Sequence, residues 1–336
     1  MNWATVLGAL TEQEDLDAGV AHDAMAEILA GEATSAQIAG FAIALRMKGE
    51  TVDELTGLLQ AMVEAADPVT LDPSVEAIDT CGTGGDRSGT VNISSIAAFV
   101  VAGAGVPVCK HGNRAASSQC GSADVYEALG VPIDLDPDAV GRAVTEVGMG
   151  FCFAQRFHAA LRHAGPTRKE LGVRTAFNFL GPMANPARVR RQVVGVSDPR
   201  MAERMLRVLV ANGSVRPLVV YGHDGLDELT TTTTSTLIEW VDGEVRTHEI
   251  DATSYGLARA EPRDLVGGDA TVNAAAARRV LEGDSGPHRD IVLLNAAAGL
   301  LAGGKVDDLA AGVEAAKASI DDGRAAGVLE RLSTFS

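Results

Sequence analysis

Between Val75 and Lys110 the sequence alternates strand, glycine-rich loop, helix and strand, and that order restricts the folds open to it. Val75–Asp79 is predicted as a short strand running into Asp79-Thr-Cys-Gly-Thr-Gly-Gly-Asp86. Ser95–Gly103 is predicted as a helix of small residues and Val106–Lys110 as the next strand. Such a unit builds a parallel sheet with helices over its faces. Gln192–Val196 and Pro217–Tyr221 add strands, and Asp242-Gly243 is a turn dipeptide joining Leu237–Val241 to Glu244–Ile250 as a hairpin. Helices are expected at Val272–Leu281, Asp290–Ala302 and Asp307–Asp321. The predicted class is α/β, with a mostly parallel central sheet.

The first 67 residues have a different pattern. Thr34-Ser-Ala-Gln37 and Thr51-Val-Asp-Glu54 are capping boxes, in which hydroxyl and N3 side chain each satisfy a free backbone N–H. Ile38, Phe41, Ala42 and Leu45 then mark one helical face. Asp67-Pro68 through Asp72-Pro73 is a linker, because the residue before proline leaves helical geometry. A chain of 336 residues thus divides into a small helical domain at 1–67 and a larger α/β domain at 74–336.

Charge and cysteine content exclude several roles. The net charge of −17 opposes general affinity for nucleic acid or anionic membranes. The apolar run Ile96–Cys109 is too short to span a bilayer, and the N-terminus lacks the pattern of a signal peptide. Cys81, Cys109, Cys120 and Cys152 lack C-x-x-C spacing, which favours reduced, buried thiols in a cytoplasmic protein over zinc or disulfides.

Four segments carry chemistry. Gly82, Gly84 and Gly85 follow a strand and lead through Ser88, Thr90 and Asn92-Ile-Ser-Ser95 into a helix start, which suits an anion. Neither a Walker A nor a G-x-G-x-x-G spacing is present, and an ordinary glycine turn is the alternative. Lys110-His-Gly-Asn-Arg-Ala-Ala-Ser-Ser118 ends the next strand with charge and hydroxyls fit for a phosphate or diphosphate, the alternative being a surface loop. Residues 151–191 hold eight Arg or Lys and one acid, Glu170. Most of these cations are expected to be solvated, with Arg168 the one best placed to reach a ligand. Asp227-Glu228, after the Pro217–Tyr221 strand, offers oxygen ligands for Mg²⁺ beside a phosphorylated substrate. From the residues themselves the expectation is an enzyme that binds a multiply phosphorylated small molecule with Mg²⁺.

Gly82-Thr-Gly-Gly-Asp86, Asn92-Ile-Ser-Ser95, Lys110-His-Gly-Asn-Arg114, Gly121-Ser-Ala-Asp124, Arg168-Lys-Glu-Leu-Gly172, Arg174-Thr175, Asn178 with Leu180-Gly-Pro182, and Gly225-Leu-Asp-Glu228 resemble the anthranilate phosphoribosyltransferase family. The resemblance implies attack of the anthranilate amine on C1′ of phosphoribosyl diphosphate, a step of tryptophan biosynthesis. It implies a cleft between the two domains, a homodimer, and a helical domain completed by part of 150–185. By the same resemblance, Gly82, Gly85, Asp86, Thr90, Asn92, Ile93, Ser94 and Ser95 hold phosphoribosyl diphosphate. Lys110, His111, Gly112, Asn113, Arg114, Ala115, Ala116, Ser117, Ser118 and Ser122 complete that cradle. Gly82, Asn113 and Arg168 contact anthranilate, and Ser94, Asp227 and Glu228 bind Mg²⁺. No general base is assigned. The sequence departs from the family at Gln119-Cys120, Tyr126, Phe157-His-Ala and the Thr230–Thr234 run, none of them an implied ligand. A pyrimidine nucleoside phosphorylase, which exchanges a base for phosphate at the same carbon, is the rival enzyme. A non-catalytic binding relative is the rival of another class.

Overall fold

The structure, a computed structural model of the protein, describes residues 1–115 and 119–336. It opens with a bundle of α1 (Trp3–Thr11), α2 (Ala18–Ala30), α3 (Ser35–Lys48) and α4 (Val52–Glu64). Both capping boxes form. Gln37 N–H donates to the Thr34 hydroxyl at 3.3 Å, and Thr51 N–H to the Glu54 carboxylate at 2.8 Å. Leu55, Leu58, Leu59 and Met62 make the buried face of α4.

The second part alternates strands and helices: β1 (Ile78–Gly82), α5 (Ile93–Gly103), β2 (Val108–Gly112), α6 (Ser122–Leu129), α7 (Pro137–Val147) and β3 (Met149–Phe153). Three short helices follow, α8 (Ala154–Phe157), α9 (Gly165–Leu171) and α10 (Ala176–Leu180). The sheet resumes with β4 (Arg191–Gly195), α11 (Pro199–Ala211), β5 (Arg216–Gly222), β6 (Thr234–Val241) and β7 (Glu244–Asp251). Helices α12 (Ala270–Leu281), α13 (Pro287–Ala302), α14 (Leu309–Asp321) and α15 (Arg324–Ser333) close the chain. Among the described residues the strands form one sheet in the order β3-β2-β1-β4-β5-β6-β7, parallel through β5 and antiparallel beyond it.

The chain builds outward from β1 to β3, then returns to add β4 on the opposite side of β1. Such a reversal leaves a crevice at the carboxyl ends of the two central strands. One face of the sheet is covered by α5, α13 and their neighbours. On the other face, Phe41 and Leu45 of α3 and Leu58 of α4 share an apolar cluster with Phe177, Phe179 and Leu180 of α10, Val194 of β4 and Leu209 of α11. The segments that pass between bundle and sheet are tied together. Asp67 N–H donates to Phe157 O at 2.8 Å, and Val69 N–H to Pro186 O at 3.2 Å. No described helix is long and apolar enough to cross a membrane.

Several boundaries differ from the sequence expectation. β1 starts at Ile78, not Val75, because Asp72 holds Val75 in a turn through its carbonyl at 2.8 Å. β2 is shifted by two residues, since Val106 still bonds back to Val101 and Pro107 has no N–H to give a ladder. β3 was not expected. Its Met-Gly-Phe-Cys-Phe is buried throughout, so no alternation marks it. β6 begins at Thr234, so the threonine run enters the sheet at its end. The hairpin turn is as expected, with Asp242 and Gly243 both at positive φ.

Candidate active site

The carboxyl ends of β1 and β4 are both glycine, and both face the loop after β5. A Cβ on Gly82 would lie 2.3 Å from Asp227 Oδ2, and one on Gly195 only 1.6 Å from the Asp227 carbonyl oxygen. The close approach lets Asp227 Oδ2 accept the Gly84 N–H at 2.6 Å. Glu228 Oε1 accepts the Ser94 N–H at 3.1 Å, in the first turn of α5, and the Ser94 hydroxyl also bonds this carboxylate. The glycine-rich loop, the start of α5 and the acidic pair therefore form one site.

Burial and a neighbouring negative charge disfavour the ionised form of both carboxylates. Burial, then the nearby Asp86, pushes Asp227 up to about 6, opposed by the Gly84 N–H and the Arg174 guanidinium. Burial, then Asp227, pushes Glu228 up to about 8, opposed by Lys110. Two partly sheltered carboxylates on one turn, with hydroxyl and carbonyl oxygens around them, are a hard-oxygen donor set of the kind that takes Mg²⁺. Such a cation offsets the burial and the like charge that raise both values.

The loop that carries the pair is clamped from within. Asp224 Oδ2 accepts the Thr230 hydroxyl at 2.6 Å and also the Thr232 hydroxyl. Thr230 N–H donates to Ser235 Oγ at 2.8 Å. Asn295 of α13 accepts the Leu229 N–H at 3.0 Å and donates to the Leu229 carbonyl at 2.8 Å. The threonine run thus serves as internal partner for the loop.

The loop after β2 is built over a buried polar floor. Asp79 is fully buried and accepts the His111 N–H at 3.1 Å and the Asn185 amide at 2.8 Å. Lys110, expected on the phosphate-facing surface, is only 1% exposed and donates to the Thr80 carbonyl. Its charge acts on Asp79 and Glu228. The His111 ring is buried 5.1 Å from that of His158, and its Nε2 has no partner. Burial and then His158 hold its pKa well below the usual value, so His111 is neutral. Gly112 leaves room for Ser122 Oγ, which accepts the Asn113 N–H at 3.1 Å. Asp124 accepts the Ala115 and Gly121 N–H groups at 3.0 and 2.9 Å. Arg114 is compensated by Asp124 at 2.8 Å and Glu127 at 2.9 Å. Ala116, Ser117 and Ser118 lie outside the described residues.

The remaining expected residues surround these two loops. Asp86 accepts the Ser88 hydroxyl at 2.6 Å, and Thr90 bridges to Val266. Asn92 accepts from Asn273 at 2.8 Å and donates to the Cys120 carbonyl at 3.1 Å. Ile93 and Ser95 are buried in the first turn of α5, where the Ser95 carbonyl accepts the Tyr126 hydroxyl at 3.0 Å. Arg168 of α9 lies over the Phe177 ring at 5.1 Å, with its pKa lowered by burial and no carboxylate within ion-pair distance among the described residues. No described contact joins Arg168 directly to Gly82 or Asn113.

Sequence reasoning did not single out Asp79, Asn185, Ser197 or Arg174 for a role. Asp79 had a signal, an acid set between apolar residues of a strand. Asn185 and Ser197 had none, because their partners are remote in sequence.

Two family models match the chain: the helical bundle domain of a glycosyl transferase family over residues 4–66 and its a/b domain over 74–326. Relatives named anthranilate phosphoribosyltransferase include one from Rhodococcus jostii, 53% identical over 99% of this chain and 93% of its own. Another, from Moorella thermoacetica, is 53% identical over 95% of this chain and 94% of its own. The crystal structure of the anthranilate phosphoribosyltransferase of Thermus thermophilus superposes with a TM-score of 0.93, at 42% identity over 98% of both chains. That of Saccharomyces cerevisiae, in complex with PRPP and Mg, does so with a TM-score of 0.89, at 27% identity over 98% of this chain and 97% of its own. A chain that matches these proteins over nearly its whole length, with both of their domains, belongs to the anthranilate phosphoribosyltransferase family.

Proposed function

We propose that the protein transfers the phosphoribosyl group of phosphoribosyl diphosphate to anthranilate in the crevice above β1 and β4. The product is N-(5-phosphoribosyl)anthranilate, with diphosphate released. The observation that carries the reading is the Asp227–Glu228 pair seated against the Gly82–Gly84 turn and the start of α5. It joins an anion-binding backbone to a cation-demanding acid pair at one place.

In this reading the Gly82–Asp86 loop, Thr90 and the Asn92–Ser95 helix start offer N–H and hydroxyl donors to the diphosphate. The 110–115 loop with Ser122, together with Ala116, Ser117 and Ser118, closes the cradle. Asp227, Glu228 and the Ser94 hydroxyl hold Mg²⁺, which neutralises charge on the departing diphosphate when bound. Arg168, which has no carboxylate within ion-pair distance among the described residues, receives the anthranilate carboxylate, and its planar fork fixes the ring's orientation. Gly82 and Asn113 border the same substrate. The amine nitrogen bonds C1′ as the C1′–O bond to diphosphate breaks, and one amine proton is released. An aromatic amine is neutral and nucleophilic at pH 7, so no side chain is assigned as general base. Orientation in such a cleft can contribute up to about 7–11 kcal/mol.

We also propose a cytoplasmic homodimer, and a helical domain completed by part of 150–185. Packing of α10 against α3 and α4 supports the latter. Loss of anthranilate fluorescence on mixing with phosphoribosyl diphosphate, with and without Mg²⁺, tests the reaction. Mg²⁺-dependent loss is expected. Folded protein that leaves the fluorescence unchanged but cleaves a pyrimidine nucleoside with phosphate would overturn it.

A further inference from the structure

Among the described residues, Arg174 is the one guanidinium of the 151–191 basic segment seen to touch the glycine-rich loop, and it is not among the substrate or metal ligands assigned above. Its Nη1 donates to Ser197 Oγ at 2.7 Å. The Ser197 hydroxyl in turn donates to the Gly84 carbonyl at 2.8 Å, and the Ser197 N–H to Thr83 Oγ1 at 3.1 Å. The same guanidinium lies beneath Gly85, with Nη1 3.0 Å from where a Cβ would stand. Its other two donor atoms, Nε and Nη2, are buried without a partner.

The other side of this arginine reaches the helical bundle. Its guanidinium lies over the Phe179 ring at 5.2 Å, and Arg46 of α3 lies over that ring at 5.8 Å. Arg46 also pairs with Asp198 at 3.6 Å, the residue next to Ser197 and the cap of α11. Thus α3, α10, the β4–α11 turn and the glycine-rich loop meet around one guanidinium.

We propose that Arg174, acting through Ser197, is a positioning residue that sets the shape of the Gly82–Asp86 loop and so its affinity for diphosphate. A buried, unpaired donor is costly, and two on one side chain leave the guanidinium incompletely satisfied. A small settling of the loop brings its carbonyl oxygens to these donors when an anion draws the opposite, N–H face. Ligand binding and completion of the Arg174 bonds then favour each other. Nε and Nη2 are buried and Nη1 is engaged by Ser197, which distinguishes this role from that of a phosphate ligand. The proposal rests on the reading of the loop as an anion site.

The test compares wild type with Arg174→Ala, Arg174→Lys and Ser197→Ala. In initial-rate kinetics Arg174→Ala is expected to raise KM for phosphoribosyl diphosphate about tenfold, or about 1.4 kcal/mol, and to leave KM for anthranilate unchanged. Guanidinium ion, at millimolar concentrations far below denaturing ones, is expected to restore much of the loss in Arg174→Ala and none in Ser197→Ala. Arg174→Lys, which keeps the charge and loses the fork, is expected to remain impaired. Calorimetric titration with inorganic diphosphate and Mg²⁺ reads the same loop without turnover, so an inactive wild type would count against the transfer reading alone. Equal changes in both KM values, or a loss that follows the melting temperature and ignores guanidinium, would overturn the proposal. Should Arg174→Ala fail to fold, Ser197→Ala decides: unchanged diphosphate affinity there rejects it.

Discussion

Burial and a neighbouring carboxylate, Asp86 for Asp227 and Asp227 for Glu228, oppose ionisation of the acidic pair, and a divalent cation offsets both. Their joint replacement, Asp227→Asn with Glu228→Gln, should lower turnover by about a hundredfold or more, since a Lewis acid on a leaving oxygen is worth several kcal/mol. Turnover of the variant across a Mg²⁺ titration checks this; an unchanged Mg²⁺ response would reject the assignment. His111 and His158 respond to pH in the folding equilibrium. Burial lowers both pKa values below the usual 6.5. Below that pH the unfolded chain binds more protons than the folded one. Their contribution is therefore fully present above about 6.5 and is lost as the pH falls through the folded values. On acidification from about pH 6.5 the wild-type melting temperature should fall relative to that of His158→Gln, the raised carboxyls of Asp227 and Glu228 acting alike in both proteins. A parallel shift in both proteins would assign the acid sensitivity elsewhere.

The loop after β5 owes its shape to Asp224 and the threonines, a relationship that composition hides. Asp224→Ala should free Thr230 and Thr232 and let the acidic pair move. A misplacement of about 1 Å can cost about a hundredfold in rate, so a fall in kcat with nearly unchanged melting temperature is expected, read by the fluorescence assay and thermal denaturation together. Much of the element order was legible beforehand. The capping boxes at Thr34 and Thr51, the Asp242-Gly243 turn and the small-residue α5 are local signals, and each formed. β3 was not legible because its residues are buried on both faces and carry no period. The start of β1 was misplaced because a turn at Asp72 overrides the strand propensity of Val75. Lys110 looked like a surface cation beside glycine, and only the fold reveals Glu228 and Asp79 as its neighbours. Arg174 stood within a quoted motif, but its partners Ser197 and Gly84 are brought to it by separate strands.

Viewed across the molecule, one apolar cluster holds α3 and α4 together with α10, β4 and α11. Phe41 and Leu45 are about as deeply covered as Phe179 and Leu180 in that cluster. The helical bundle cannot bury its inner face from its own sequence. Residues 1–67 expressed alone are therefore expected to expose apolar surface, bind a hydrophobic dye and unfold without a sharp transition. A compact fragment with a cooperative melt would refute this.

The ties from Asp67 to Phe157 and from Val69 to Pro186 have a bearing on how the protein is made. Emerging from a ribosome, the bundle leaves first but waits for more than a hundred residues before its partners α10 and Pro186 arrive. During that interval its inner face is open to chaperones and to other nascent chains. Speed of synthesis through β1 to β3 therefore sets how long the bundle remains unprotected.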